Sequence, residues 1–295
     1  MESVLFKSIK DGNKKMFERI IDVSYKDYID VEKSLNWDIG VNRNIMPKLE
    51  SHMWLYGTKY FDMLSSAQKL EMAWMEVARD VSLFIHFEQL IPYIFSSYIN
   101  KYKHQLNRQI YEYMMIFERE ELTHILMFHR FLDIAKLPWF GLPQGFDELA
   151  KKLPEMPPEE GLIFTLFIEW TSENAVISSV RGQNCDPLTE ELWRVHHMEE
   201  ARHIAFGKKI GETFFEDGDD DRIYACRIQF GALLKQMHYV YNFNPEIANF
   251  LSFDLPFDIS DDNIVHQIRS SEHNTRLNKD RFGSIYQWSK AQGIF

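Results

Sequence analysis

The chain has 295 residues, 45% apolar and 26% charged, an ordinary balance for a soluble globular protein, with aromatic residues at 15%. A formal charge of −11 argues against a nucleic-acid surface, which needs clustered Lys and Arg to meet phosphate. Cys185 and Cys226 cannot build a disulfide framework, no apolar run approaches the roughly 20 residues of a membrane span, and Met1 to Asp11 lacks a signal-peptide core, so the expected location is the cytoplasm with no membrane partner.

In chain order, the first forty to sixty residues read as short helices and loops. From there, apolar residues recur at three- and four-residue spacing over Ser65–Asn100, His104–Ala135, Gly161–Gly182, Leu188–Glu216 and Arg222–Tyr241, the period of a helix. No stretch alternates as a strand does. Between Leu137 and Gly161, Pro138, Pro143, Pro154, Pro157 and Pro158 interrupt regular helix. Two helical hairpins joined by one long crossover is the layout of ferritin-like bundles. The expected fold is therefore all-α, a ferritin-like helical bundle with additional helices, in one domain over 1–295. The acidic run Asp217–Asp221 reads as a solvated turn, because the twelfth position from Asp217 is Ile228 and not the Glu of a calcium loop.

Two of these helices carry Glu-x-x-His, as Glu121-Leu122-Thr123-His124 and Glu200-Ala201-Arg202-His203. With 25 Glu and 11 His, about one such spacing is expected by chance, so a single tetrad carries little. The surroundings change that. Each tetrad follows another acid, Glu120 or Glu199, and each lies one helix beyond a lone Glu in apolar sequence. Glu88 stands in Phe84-Ile85-His86-Phe87-Glu88-Gln89-Leu90-Ile91, and Glu169 in Phe164-Thr165-Leu166-Phe167-Ile168-Glu169-Trp170; the steps to Glu121 and Glu200 are 33 and 31 residues. This is an internal repeat of a hairpin.

A carboxylate on an apolar helix face is costly unless paired or bound to metal. One Glu from each of two helices plus a Glu-x-x-His from each of two others is the di-iron carboxylate pattern. Four carboxylates cancel two divalent cations, and neutral imidazoles complete the sites. His196 precedes Glu200 by four residues and His203 by seven, within roughly 60° of both around the helix, and is read as a further ligand. The expected metal ligands are thus Glu88, Glu121, His124, Glu169, His196, Glu200 and His203, in a core over about 65–216. Two iron ions with O2 as co-substrate are the expected cofactors, and manganese suits the same donors. Glu173, one turn beyond Glu169, competes as a ligand or lines a pocket. Glu120 and Glu199, about 100° off the metal side, read as outer partners or surface charges, and His197 as an outer or structural residue. Pro92 removes the helical bond to the Glu88 carbonyl.

The set Glu88, Glu121-x-x-His124, Glu169, His196-x-x-x-Glu200-x-x-His203 resembles the p-aminobenzoate N-oxygenase family, the AurF- and CmlI-like arylamine oxygenases, over about Ser65 to Gly207. The resemblance implies a di-iron centre held by three histidines and four glutamates. It also implies oxidation of an amine nitrogen, on an arylamine or an amino-acid-like molecule, to hydroxylamine, nitroso or nitro. An external electron donor (ferredoxin or reductase) and a homodimer are implied too. Other readings are a di-iron or Fe/Mn oxygenase attacking carbon, a ribonucleotide reductase small subunit, and an iron-storage bundle. Phe128 where a radical tyrosine is expected, and Glu88 in place of Asp, argue against the reductase; storage subunits are shorter. Phe84, Phe117, Phe128, Thr165, Ser172 and Trp193, one turn from the ligands, are expected pocket walls.

Overall fold

The computed structural model describes residues 11–142, 145–180 and 184–295, and the side chains of all of these but 11, 12, 149, 238 and 239. The reading of the N-terminal stretch before Asp11, Pro143, the helix end expected at Gly182 and the side chain of His238 lie outside the described residues. The α-helices are α1 (Asp11–Lys26), α2 (Lys59–Asp62), α3 (Ser66–Tyr102), α4 (Arg108–Ala135), α5 (Phe146–Lys152), α6 (Pro158–Val180), α7 (Pro187–Asp217), α8 (Asp220–Val240), α9 (Asp262–Arg269) and α10 (Glu272–Ala291). Among the described residues there is no strand, and no helix is long and apolar enough to cross a membrane.

Side-chain caps set the helix starts. Ser65 accepts from the Gln68 amide while the Gln68 side chain accepts from the Ser65 amide, a reciprocal pair that opens α3. Asn107 accepts from the amide of Gln109, so α4 begins at Arg108 and not at His104. Asp186 accepts from the amide and the hydroxyl of Thr189 and starts α7 at Pro187, whose missing N–H costs nothing in the first turn. α3 continues through Pro92. The described part of the proline-rich connection holds a short α-helix, α5, and a 3-10 turn over Leu153–Glu155. Of the acidic run expected to be a turn, Asp217 closes α7 and Asp220 and Asp221 open α8, leaving Gly218 and Asp219 between them. α1, α9 and α10 fall outside the windows of strong periodicity. α10 seats Phe282, Ile285 and Trp288 on the bundle, Trp288 crossing Phe167 and Trp170 of α6 edge to face.

The buried apolar residues form two cores, one toward each end of the bundle. α3 passes from the core containing Met72–Ile85 to the one containing Phe87–Tyr98; α4 returns, from Ile110–Phe117 to Ile125–Ala135. α6 runs from Leu162–Ala175 to Val176 and Val180, and α7 from Leu188–Val195 back to Phe206–Phe215. Neighbours within each hairpin are thus antiparallel, α4 and α6 run the same way, and the connection between them travels the length of the bundle. That single long crossover is the ferritin-like topology. On α3, α4 and α7 the change of core falls beside Glu88, Glu121 or Glu200, and on α6 it falls after Glu169 and Glu173, so a polar layer crosses the middle.

Candidate metal centre

The polar layer holds all seven side chains singled out by the sequence, none more than 5% exposed. Their inward atoms form two groups, each within 4.8 Å: Glu88, His124, His196 and Glu200, and Glu121, Glu169, Glu200 and His203. Glu200 belongs to both. Its Oε1 lies 3.4 Å from His124 Nδ1, 3.2 Å from His196 Nε2 and 3.3 Å from His203 Nδ1. Glu88 Oε1 is 2.9 Å from His196 Nε2, and Glu121 Oε1 is 3.0 Å from His203 Nδ1. Glu169 approaches from the far side, 3.9 Å from His203 Nδ1.

A second ring of carboxylates fixes the imidazoles from behind. His124 donates through Nε2 to Glu199 at 2.8 Å, and His203 through Nε2 to Glu120 at 2.9 Å. The pairing crosses the bundle: the acid beside Glu200 on α7 orients the histidine of α4, and the acid beside Glu121 on α4 orients that of α7. Both acids are buried and bonded to histidine, so of the two readings the sequence left open they are not surface charges. Burial raises the Glu199 carboxyl, but the hydrogen bond and charge of His124, the Ile29 amide and His203 together outweigh it and hold the group below its ordinary value. Glu173 stands 3.2 Å from His196 Nδ1 and 2.5 Å from His197 Nδ1; it supports His196 and belongs to neither inward group. Each outer acid leaves the other nitrogen of its histidine to the inward carboxylates: Nδ1 of His124 and His203, and Nε2 of His196, which meets Glu88 Oε1 at 2.9 Å.

The expected walls are here too. Phe117 stacks on His203 with ring centres 3.6 Å apart, and Phe84 and Phe128 each lie 5.0 Å from His196, with Trp193 packed against both. Thr165 is turned back onto the Gly161 carbonyl. Ser172 accepts from Tyr241 at 2.5 Å, a buried tyrosine at the end of α8 that no spacing argument links to the ligand helices.

A profile of the family described as p-aminobenzoate N-oxygenase AurF matches residues 10–293. The chain belongs to this family. A search of the curated proteins found no match.

An oxygenase of this family needs a metal site, and the donor set fits one. Glu88 Oε2, both oxygens of Glu121 and Glu200, and Nδ1 of His124 and His203 are buried without a hydrogen-bond partner, all on side chains of the two inward groups. Leaving one such atom unsatisfied costs about 1–3 kcal/mol, so seven in one layer point to an ion that takes their lone pairs. Electrostatics agrees. Burial raises the carboxyl of Glu88 to about 8 and that of Glu121 to about 7, and Glu169, with Glu121 and Glu200 beside it, rises as well. Glu200 is also raised by burial, but His196 and His203 outweigh this and hold it well below its ordinary value. Four carboxylates crowded together cannot all be ionised in a dry core unless cations of comparable charge join them.

Proposed function

We propose that this chain is an O2-dependent di-iron N-oxygenase that oxidises the nitrogen of a small amine. One observation carries the reading: four helices bring four carboxylates and three imidazoles to a buried centre as two groups sharing Glu200, and Glu88, Glu121, His124, Glu200 and His203 each leave at least one buried atom there without a hydrogen-bond partner. Two irons there would supply electrons to O2 among buried side chains. Glu88, His124 and His196 would hold one ion and Glu121, Glu169 and His203 the other, with Glu200 common to both groups. Glu199, Glu120 and Glu173 keep the three histidines oriented and fix which nitrogen carries a proton. Phe84, Phe117, Phe128 and Trp193 give the centre an apolar wall suited to a flat aromatic amine. The first oxidation is R–NH2 + O2 + 2e⁻ + 2H⁺ → R–NHOH + H2O, the electrons coming from an external donor. The same reading makes residues 1–295 one catalytic domain with its metal core over about 65–216, and makes the protein a homodimer.

The test is anaerobic loading with ferrous iron, iron analysis, then O2 with p-aminobenzoate as probe and mass analysis of products. About two irons per chain and oxygen added at nitrogen are expected, and Glu121→Ala or His203→Ala should abolish both while the far-UV helix signal persists. A chain that takes up no iron after loading sinks the metal centre. Iron uptake with oxygen inserted only at carbon would move the reading to a carbon-directed oxygenase.

A further inference from the structure

The two outer acids, Glu120 and Glu199, meet at one side chain. Arg202 is 8% exposed; its Nη2 donates to Glu120 Oε1 at 3.2 Å and lies 3.3 Å from Glu199 Oε1. The same guanidinium donates to the carbonyls of Met198 and Asp27, which pin it across the α4–α7 seam. The repeat is unequal at this point. The position before the histidine is Arg202 on α7 but Thr123 on α4, and the Thr123 hydroxyl turns back to the Arg119 carbonyl at 2.9 Å. One arginine therefore serves two acids, and through them two histidines in different inward groups. Glu120 has further help from Arg119, 3.2 Å away with its side chain 43% exposed, whereas Glu199, among the described residues, is met besides His124 and Arg202 by the Ile29 amide at 2.8 Å.

We propose that Arg202 is a positioning residue that makes the two metal positions interdependent: it holds Glu199 on His124 of the first group and Glu120 on His203 of the second. This rests on the metal centre proposed above. Removing a group that orients a ligand from behind typically weakens metal affinity about 10- to 100-fold. Arg202 sits behind two such groups, so its loss should weaken both positions at once. The effect should be larger at the His124 position, where no Arg119 remains.

The experiment is an anaerobic ferrous-iron titration of the full-length metal-free chain against a competing chelator, read as two binding steps. Wild type should show both steps. Glu199→Ala and Glu120→Ala should each weaken one step, and so assign it. Arg202→Gln should weaken both by about tenfold or more and shift the near-infrared ligand-field bands of the ferrous protein, a change that a merely structural arginine would not cause. Either step within threefold of wild type in Arg202→Gln overturns the coupling. Should that variant not fold, Arg202→Lys decides by the same rule: both steps weakened more than threefold supports the proposal, and either step within threefold of wild type ends it. Fewer than two irons on the wild-type chain would instead sink the metal centre itself, so the two failures are distinguishable.

Discussion

α3 carries two buried acidic sites. Near its start, Glu76 and Asp80 face Lys48, whose Nζ lies 3.1 Å from Glu76 and 3.3 Å from Asp80, with its side chain 2% exposed. The Trp54 amide donates to Glu76, and buried Arg79 and Arg281 flank the group. About three turns on, Glu88 stands among Glu121, Glu169 and Glu200, and among the described residues no Lys or Arg lies within ion-pair distance of these four. The first site is paired with the fixed charge of Lys48. The second has only imidazoles facing its carboxylates, among the described residues. Buried carboxylates alone therefore do not point to metal; carboxylates grouped with imidazoles and without Lys or Arg do.

The largest test of that contrast is Glu200→Ala. The residue is common to both inward groups, so both ions should be lost and O2-dependent turnover should fall about a thousandfold or more, measured by iron content and oxygen uptake. Loss of only one iron would show that the two groups do not share this carboxylate. At the other site the matching change is Lys48→Ala, which strands two buried acids. It should lower unfolding free energy by about 3–5 kcal/mol in a denaturant titration while the folded fraction still takes up two irons. If Lys48→Ala lost iron as well, the two sites would not be separable.

The sequence made one of these sites readable and hid the other. Glu88 and Glu169 stand out because each is a lone acid in an apolar helix, and the repeat of 33 and 31 residues ties them to the two tetrads. Helical angle also separated Glu121 and Glu200 from the acids beside them. What angle cannot give is the partner across the bundle: that Glu120 serves His203 and Glu199 serves His124 depends on how α4 and α7 are set against each other. Arg202 was in plain view between Glu200 and His203, but nothing local said it would touch two acids. Lys48 gave no signal at all, since it lies in an irregular segment 28 residues before Glu76. α10 was faint for a related reason. Its contacts are carried mainly by Phe282, Ile285 and Trp288, and the rest of the helix is polar.

A smaller effect separates helix spacing from charge. A Cβ added at Gly207 would lie 2.8 Å from the Leu166 Cβ, so Gly207→Ala should push α6 from α7 one turn beyond His203 and just before Glu169. Overpacking of this kind costs about 1–3 kcal/mol. Iron affinity should drop with it, because Glu169 moves with α6, whereas the pairing of Lys48 with Glu76 and Asp80 should be untouched. Unchanged iron affinity with lowered stability would show that the centre tolerates a shift of α6.

The last effect belongs to the Lys48 site and is read against pH. Burial raises the Glu76 carboxyl from its ordinary 4.5 to about 7, against the lowering by Lys48 and the Trp54 amide. A carboxyl raised on folding binds its proton more tightly in the folded chain than in the unfolded one. Its contribution to stability is thus fully present below about 4.5 and is lost as pH rises through about 7, at up to about 1.4 kcal/mol per pH unit. Glu76→Gln keeps the shape and removes the titration, and Lys48 retains Asp80. The unfolding free energy of wild type minus that of the variant should therefore fall between pH 5 and pH 7.5, with groups common to both proteins cancelling. A difference that stays flat would mean that Lys48 keeps Glu76 ionised throughout, and one that grows would mean that the ion pair outweighs the loss of water around it.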